Sequence, residues 1–152
     1  GVSLAQLFRR LAVLPSVQGL PRFGLAVCDG SGTLLFRRPI EGFALPRFGG
    51  ACPLWPLYQA MVQPDRPLRA VVEFAGRPPM RFVAHAVCSA RDPLRFEAPY
   101  VWESSMLMTP ASAALSAAPA EAAMEALEVG TSCRICPRTK CPARREASIV
   151  TG

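Results

Sequence analysis

The sequence predicts an α+β domain, an antiparallel sheet flanked by helices, closed by a C-terminal cysteine-rich tail. Three observations point there. Short runs dense in Val, Leu and aromatic residues alternate with Gly- and Pro-rich breaks. Segments with helical spacing or a proline start separate those runs. Three of the six cysteines, Cys133, Cys136 and Cys141, crowd near the C-terminus.

Ser3 is suited to accept the free N–H groups of a first helical turn. Leu4, Leu7, Phe8 and Leu11 follow at helical spacing with Gln6, Arg9 and Arg10 opposite, so an amphipathic helix is expected to about Leu14. Pro15 and Pro21 bound a loop. Phe23–Cys28 reads as a buried strand, Asp29-Gly30-Ser31-Gly32 as a turn, and Thr33–Arg37 as the returning arm of a hairpin. Residues 43–50, rich in Pro, Gly and aromatics, lead to Cys52-Pro53-Leu54-Trp55-Pro56. A helix starting at Pro53 is expected, since proline in a first turn gives up no hydrogen bond, and Cys52 then stands at its N-terminal edge. Leu68–Phe74 and Met80–Cys88 form an antiparallel pair around Gly76–Pro79. A further strand covers Tyr100–Met108. Alanine-rich residues 111–118 are a helix or linker without chemistry, and Pro119–Val129 is expected to be a helix ending before Gly130.

This order suits a sheet covered by helices, a GAF/PAS-like sensor layout; the analogy concerns architecture alone. Residues 1–129 are expected to form the effector-sensing domain, with residues 130–152 as a cysteine-rich tail packed on it. With 152 residues, 51% hydrophobic and 18% charged, the chain is long enough for a core and too apolar for disorder. No apolar run approaches the roughly 20 residues of a membrane span. Arg9 and Arg10 lie inside the first apolar pattern rather than ahead of it, unlike a signal peptide, so a cytoplasmic location and no membrane partner are expected. The net charge of +6 is spread along the chain. It fits a phosphate-bearing ligand or a solvated basic surface, and does not by itself make a DNA-binding domain. One histidine and no paired acid–base groups leave an enzymatic reading without a catalytic set.

The cysteines carry the chemistry. Cys133-x-x-Cys136 and, after four intervening residues, Cys141 can converge on one ion, and soft thiolates select zinc, copper(I) or iron–sulfur centres. A closed site needs a fourth donor. Cys52 follows Gly49 and Gly50, which allow close backbone approach, and is the upstream candidate. Arg134, Arg138, Lys140, Arg144 and Arg145 surround the trio and would stabilise an anionic centre, whether a cluster or zinc with four thiolates. Reduced bystander thiols or a disulfide are the plain alternatives. Cys28 and Cys88, each in an apolar run, read as core thiols.

RFGGACPLWPLY (Arg47–Tyr58) together with VGTSCRICPRTKCPARREAS (Val129–Ser148) resembles the C-terminal domain of the short-chain fatty-acyl-responsive regulators. These are XRE-type transcription factors that include the propionate-catabolism regulators. The resemblance implies an effector domain of a transcriptional regulator, not an enzyme, that binds short-chain acyl-CoA and a four-iron, four-sulfur (4Fe-4S) cluster. It carries Cys52, Cys133, Cys136 and Cys141 over as the cluster ligands. It also implies a homodimer that meets DNA only through an N-terminal helix-turn-helix missing from this sequence. Lys140 departs from the pattern, which has an acidic residue before the last cysteine, and residues 97–125 are shorter and richer in Ala. The alternative is a structural zinc module, built on the same four cysteines, that mediates dimerisation or docking.

Arg47, Trp55 and Tyr58 are the candidate ligand-binding residues. Arg47 could pair with a CoA phosphate through its planar fork or be a surface arginine. Trp55 and Tyr58, one turn apart on the expected helix, read first as core and second as the wall of a pocket beside the cysteines. His85, between Ala84 and Ala86, reads as a satisfied, partly buried histidine rather than a metal ligand.

Overall fold

The computed structural model describes residues 1–15, 19–76, 78–91, 96, 100–112 and 123–151. A six-stranded sheet forms its middle layer: β1 (Gly24–Asp29), β2 (Leu34–Arg38), β3 (Leu68–Phe74), β4 (Met80–Ala90), β5 (Trp102–Pro110) and β6 (Leu127–Val129), in the order β2-β1-β5-β4-β3-β6. Five strands run antiparallel, and β6 joins the β3 edge in parallel. The sheet is therefore mixed, which corrects the expected purely antiparallel one.

One face carries α1 (Leu4–Val13). Ser3 Oγ accepts the Gln6 N–H and Gln6 Oε1 accepts the Ser3 N–H, a reciprocal cap that satisfies two otherwise free donors. Phe8 and Ala12 are buried against Leu25, Val27, Val87 and Leu107. Leu4 and Leu7 remain 40% and 42% exposed, so the helix touches the sheet along a narrower stripe than its apolar spacing suggests.

The opposite face holds the larger core, since alternate residues of each strand point there. Ala26, Cys28, Val72, Phe74, Phe82, Ala84, Met106 and Met108 pack beneath Phe43, Trp55 and Leu57. Phe43 lies 5.2 Å from Trp55, 4.5 Å from Phe74 and 5.3 Å from Phe82, ring centre to ring centre. The β1–β2 hairpin turns where expected. Asp29 Oδ1 accepts from the Ser31 N–H (2.9 Å), the Ser31 hydroxyl (2.6 Å) and the Thr33 N–H (3.3 Å), and Gly32 takes the positive φ of +82° that the turn requires. Cys28 and Cys88 are wholly buried in this core, as expected.

Two expectations about helices are corrected. The helix after Cys52 does not start at Pro53. Residues 52–55 form a turn, with the Trp55 N–H donating to the Cys52 carbonyl (3.1 Å), and α2 covers only Pro56–Gln59 before a short 3-10 turn, Ala60–Val62. Pro56 explains this: it disfavours helical geometry at the residue before it, and Trp55 is extended (φ −63°, ψ 139°). Cys52 thus lies away from a helix terminus. The helix expected over 119–129 is also displaced at its end. Residues 127–129 pair with 72–74 in β3, and the Ala75 N–H donates to the Val129 carbonyl (3.1 Å). A three-residue strand has too little sequence period to announce itself, and the open edge of β3 supplies its partner. Residues 113–122, including the start of that expected helix and most of the alanine-rich stretch, lie outside the described residues.

Candidate metal centre and adjoining cleft

The chain leaves β6 at Gly130 and runs past Cys52. The Cys52 N–H donates to the Thr131 carbonyl (2.9 Å), and Trp55 Nε1–H donates to the Gly130 carbonyl (2.8 Å). The tail is thereby tied by two hydrogen bonds to the turn that carries the upstream cysteine. Cys133–Ile135 form a 3-10 turn that the Cys136 N–H closes onto the Cys133 carbonyl.

Gly130 is expected from the sequence only to end a helix, yet two neighbours depend on it. Its carbonyl receives Trp55, and a Cβ placed on it would stand 2.9 Å from Cys136 Sγ. Its missing side chain is the space the sulfur uses. The signal in the sequence is faint: a glycine three residues ahead of the first cysteine of the trio.

Cys52 and Cys136 are each 7% exposed, while Cys133 and Cys141 are half-buried. Burial pushes the Cys52 thiol above its ordinary range; the N–H groups of Gly130 and Leu54 pull the other way, and Cys133 and Cys136 lie near enough to add to the rise. Cys52 therefore lies on the side of the fold that carries Cys133 and Cys136. The Arg145 N–H also donates to Cys133 Sγ (3.4 Å). Donors aimed at sulfur suit thiolate ligands, and a donor set of four thiols suits a soft metal or a cluster. Among the described residues no three His, Cys, Asp or Glu side chains converge as a closed metal site.

Arg144 braces the loop. Its guanidinium donates to the carbonyls of Cys133 (3.1 Å), Cys136 (3.4 Å), Glu146 (3.3 Å) and Arg138, and its N–H caps the turn begun at Cys141. Arg138 in turn bonds the Glu128 carbonyl (2.8 Å) and pairs with its carboxylate (3.1 Å). The Ile149 N–H reaches the Arg134 carbonyl (2.8 Å), which pins the last residues over the same loop.

The candidate ligand residues separate. Trp55 is fully buried in the core, so its indole serves the aromatic cluster and Gly130. Arg47 and Tyr58 meet in a cleft of about 640 Å³ with Arg37 and Arg145, where the half-buried Tyr58 hydroxyl donates to the Gly32 carbonyl (3.3 Å). Sequence reasoning missed Arg37 as a partner of Arg47, because nothing local marks it. A second cavity, about 620 Å³ beyond the end of α1, is lined by none of the cysteines. His85 is half-buried in β4 opposite Arg69 and Leu107. Among the described residues no helix is long and apolar enough to cross a membrane.

Comparison with known proteins places this geometry in context. Residues 14–151 match the family described as "Short-chain fatty acyl coenzyme A regulator, C-terminal". The chain is 32% identical over 149 residues to a "Propionyl-CoA carboxylase regulator" of Cereibacter sphaeroides, covering 95% of this chain and 32% of that protein. It is 28% identical over 156 residues to the "HTH-type transcriptional regulator PrpR" of Mycobacterium tuberculosis, covering 95% and 30%. It thus spans about a third of the length of these relatives. A solved structure described as a "Mycobacterium tuberculosis transcriptional regulator" superposes with a TM-score of 0.80 at 25% identity, over 99% of this chain and 47% of that one.

Proposed function

Since the chain belongs to the short-chain fatty acyl coenzyme A regulator family, as its C-terminal domain, we propose that it is the effector-sensing part of a transcriptional regulator. In this reading Cys52, Cys133, Cys136 and Cys141 hold a 4Fe-4S cluster, and short-chain acyl-CoA is the effector. The role is regulatory rather than catalytic, in line with the names of its relatives. DNA is met through a helix-turn-helix of the XRE type elsewhere in the full regulator, which works as a homodimer. The sheet with helices and loops on both faces supports a GAF/PAS-like sensor role for this architecture.

One observation carries the reading: the Cys52 backbone is bonded to Thr131, so a cysteine far upstream lies against the loop of the other three. When bound, the cluster would supply one-electron redox chemistry. The chain's own residues hold the cysteine loop in shape through Arg144, direct an N–H group at the Cys133 sulfur, and bury Cys52 and Cys136 away from water. Arg47, with Arg37 and Arg145, is placed to meet the phosphates of a CoA, and Tyr58 forms part of the same wall.

Anaerobic purification followed by iron and sulfide analysis tests the centre. About four of each per chain with broad visible absorption is the expected result. A colourless protein with one zinc per chain, unfolding at its C-terminal end in chelator, would instead establish the structural four-cysteine zinc module. That second reading is favoured by the way the knot stitches tail to core. Calorimetric titration with propionyl-CoA tests the effector; no heat from a metal-replete protein would remove acyl-CoA from this domain.

A further inference from the structure

The cleft beside the cysteine loop has a composition the cysteines do not explain. Three guanidinium groups from separate segments, Arg37 of β2, Arg47 of the loop before Cys52 and Arg145 of the tail, line it without an Asp or Glu in its wall. Among the described residues none of the three forms an ion pair. Cations gathered with no counter-charge repel one another, and an anion of high charge relieves that repulsion. Gly49 and Gly50 form part of the wall, and the Arg145 guanidinium stands 3.9 Å from where a Cβ on Gly50 would be. Gly50 leaves the Arg145 guanidinium uncovered.

Arg145 also belongs to the cysteine loop, because its N–H donates to Cys133 Sγ while its side chain lines the cleft. We infer that this cleft binds a ligand through its phosphate groups, and that its occupancy is coupled through Arg145 to the state of the cysteine centre. The coupling rests on the metal-centre reading above, and the phosphate site on the effector reading of the same cleft. Arg145 spans the two sites, its backbone N–H at the Cys133 sulfur and its side chain in the cleft, so an anion in the cleft and an anionic thiolate centre repel each other across one residue and the coupling is antagonistic. By linkage each weakens the other by the same factor. A reduced cluster carries one more negative charge than an oxidised one, so the anion favours the oxidised form.

The test uses the full 152-residue chain and inorganic pyrophosphate as the probe, with ionic strength held constant. Calorimetry is expected to show one site per chain, weakened about tenfold or more by Arg47→Glu and by Arg145→Glu and unchanged by Arg10→Glu on α1, with folding of each variant verified by circular dichroism. No binding, or equal weakening by Arg10→Glu, overturns the site. Binding is expected to be about fivefold tighter after the metal centre is stripped. In iron–sulfur-loaded protein, pyrophosphate should bind the oxidised form about fivefold more tightly than the reduced one and so lower the midpoint potential by about 40 mV, at 59 mV per decade for one electron. Equal affinity in stripped and loaded chains overturns the coupling and leaves the site. A chain that takes up neither iron nor zinc overturns the metal-centre reading and the coupling with it, whereas pyrophosphate binding that survives there upholds the cleft.

Discussion

Replacing Gly130 with alanine separates two opposed effects by sign. Its φ lies outside the left-handed region, so alanine is conformationally acceptable. If the space beside it were free, alanine would stabilise the fold by about 0.4–1 kcal/mol through the unfolded chain. The space is taken: the new Cβ would stand 2.9 Å from Cys136 Sγ and 3.3 Å from Cys136 Cβ. Relieving such overpacking costs about 1–3 kcal/mol. The net expectation is a loss of about 1–2 kcal/mol. Urea unfolding of the reduced, chelator-treated chain measures it without metal. With a slope of roughly 2 kcal/mol per molar, the midpoint should fall by about 0.5–1 M at constant slope. Cys136→Ala removes the offending sulfur, so the two changes together should destabilise by at least about 0.5 kcal/mol less than their sum. A Gly130→Ala protein as stable as the parent, or a strictly additive pair, refutes the packing argument.

Two further outcomes follow from the same geometry. Burial, with the Asp29 carboxylate adding to it, pushes the Cys28 thiol from 9.0 up to about 12, and burial takes Tyr58 from 10.0 to about 12. The unfolded chain ionises first, so the Cys28 contribution is whole below about pH 9 and is lost as pH rises toward about 12, at no more than about 1.4 kcal/mol per pH unit. Urea midpoints at about pH 8 and about pH 10.5 should fall more steeply in the parent than in Cys28→Ala; parallel slopes would count against the buried neutral thiol. Arg144→Lys and Arg144→Ala should both weaken metal uptake by about 10–100-fold in a competition titration, because one ammonium cannot meet carbonyls that diverge around a planar fork. Unchanged affinity in the lysine variant would show that Arg144 contributes charge alone.

The sequence by itself determined what is local. Strand Leu68–Phe74 was bounded to the residue, because dense β-branched and aromatic side chains declare a half-buried strand. The β1–β2 turn was legible from Asp29 through Gly32, whose side chains and φ values act within four residues. The cap at Ser3 was legible for the same reason, and the family was readable from two segments whose residue types serve the cysteine knot. Tertiary structure decided the rest. Leu127–Val129 became a strand only because β3 offered an unpaired edge, a partner more than fifty residues away. Trp55 was readable as core, but its partners were not: Phe43 and the Gly130 carbonyl reach it from either side along the chain. Arg37, Arg47 and Arg145 share a cleft that no spacing in the sequence encodes. Spacing rules describe neighbours along a helix or strand; contacts between distant segments are set by which surfaces can exclude water together, and that requires the folded chain.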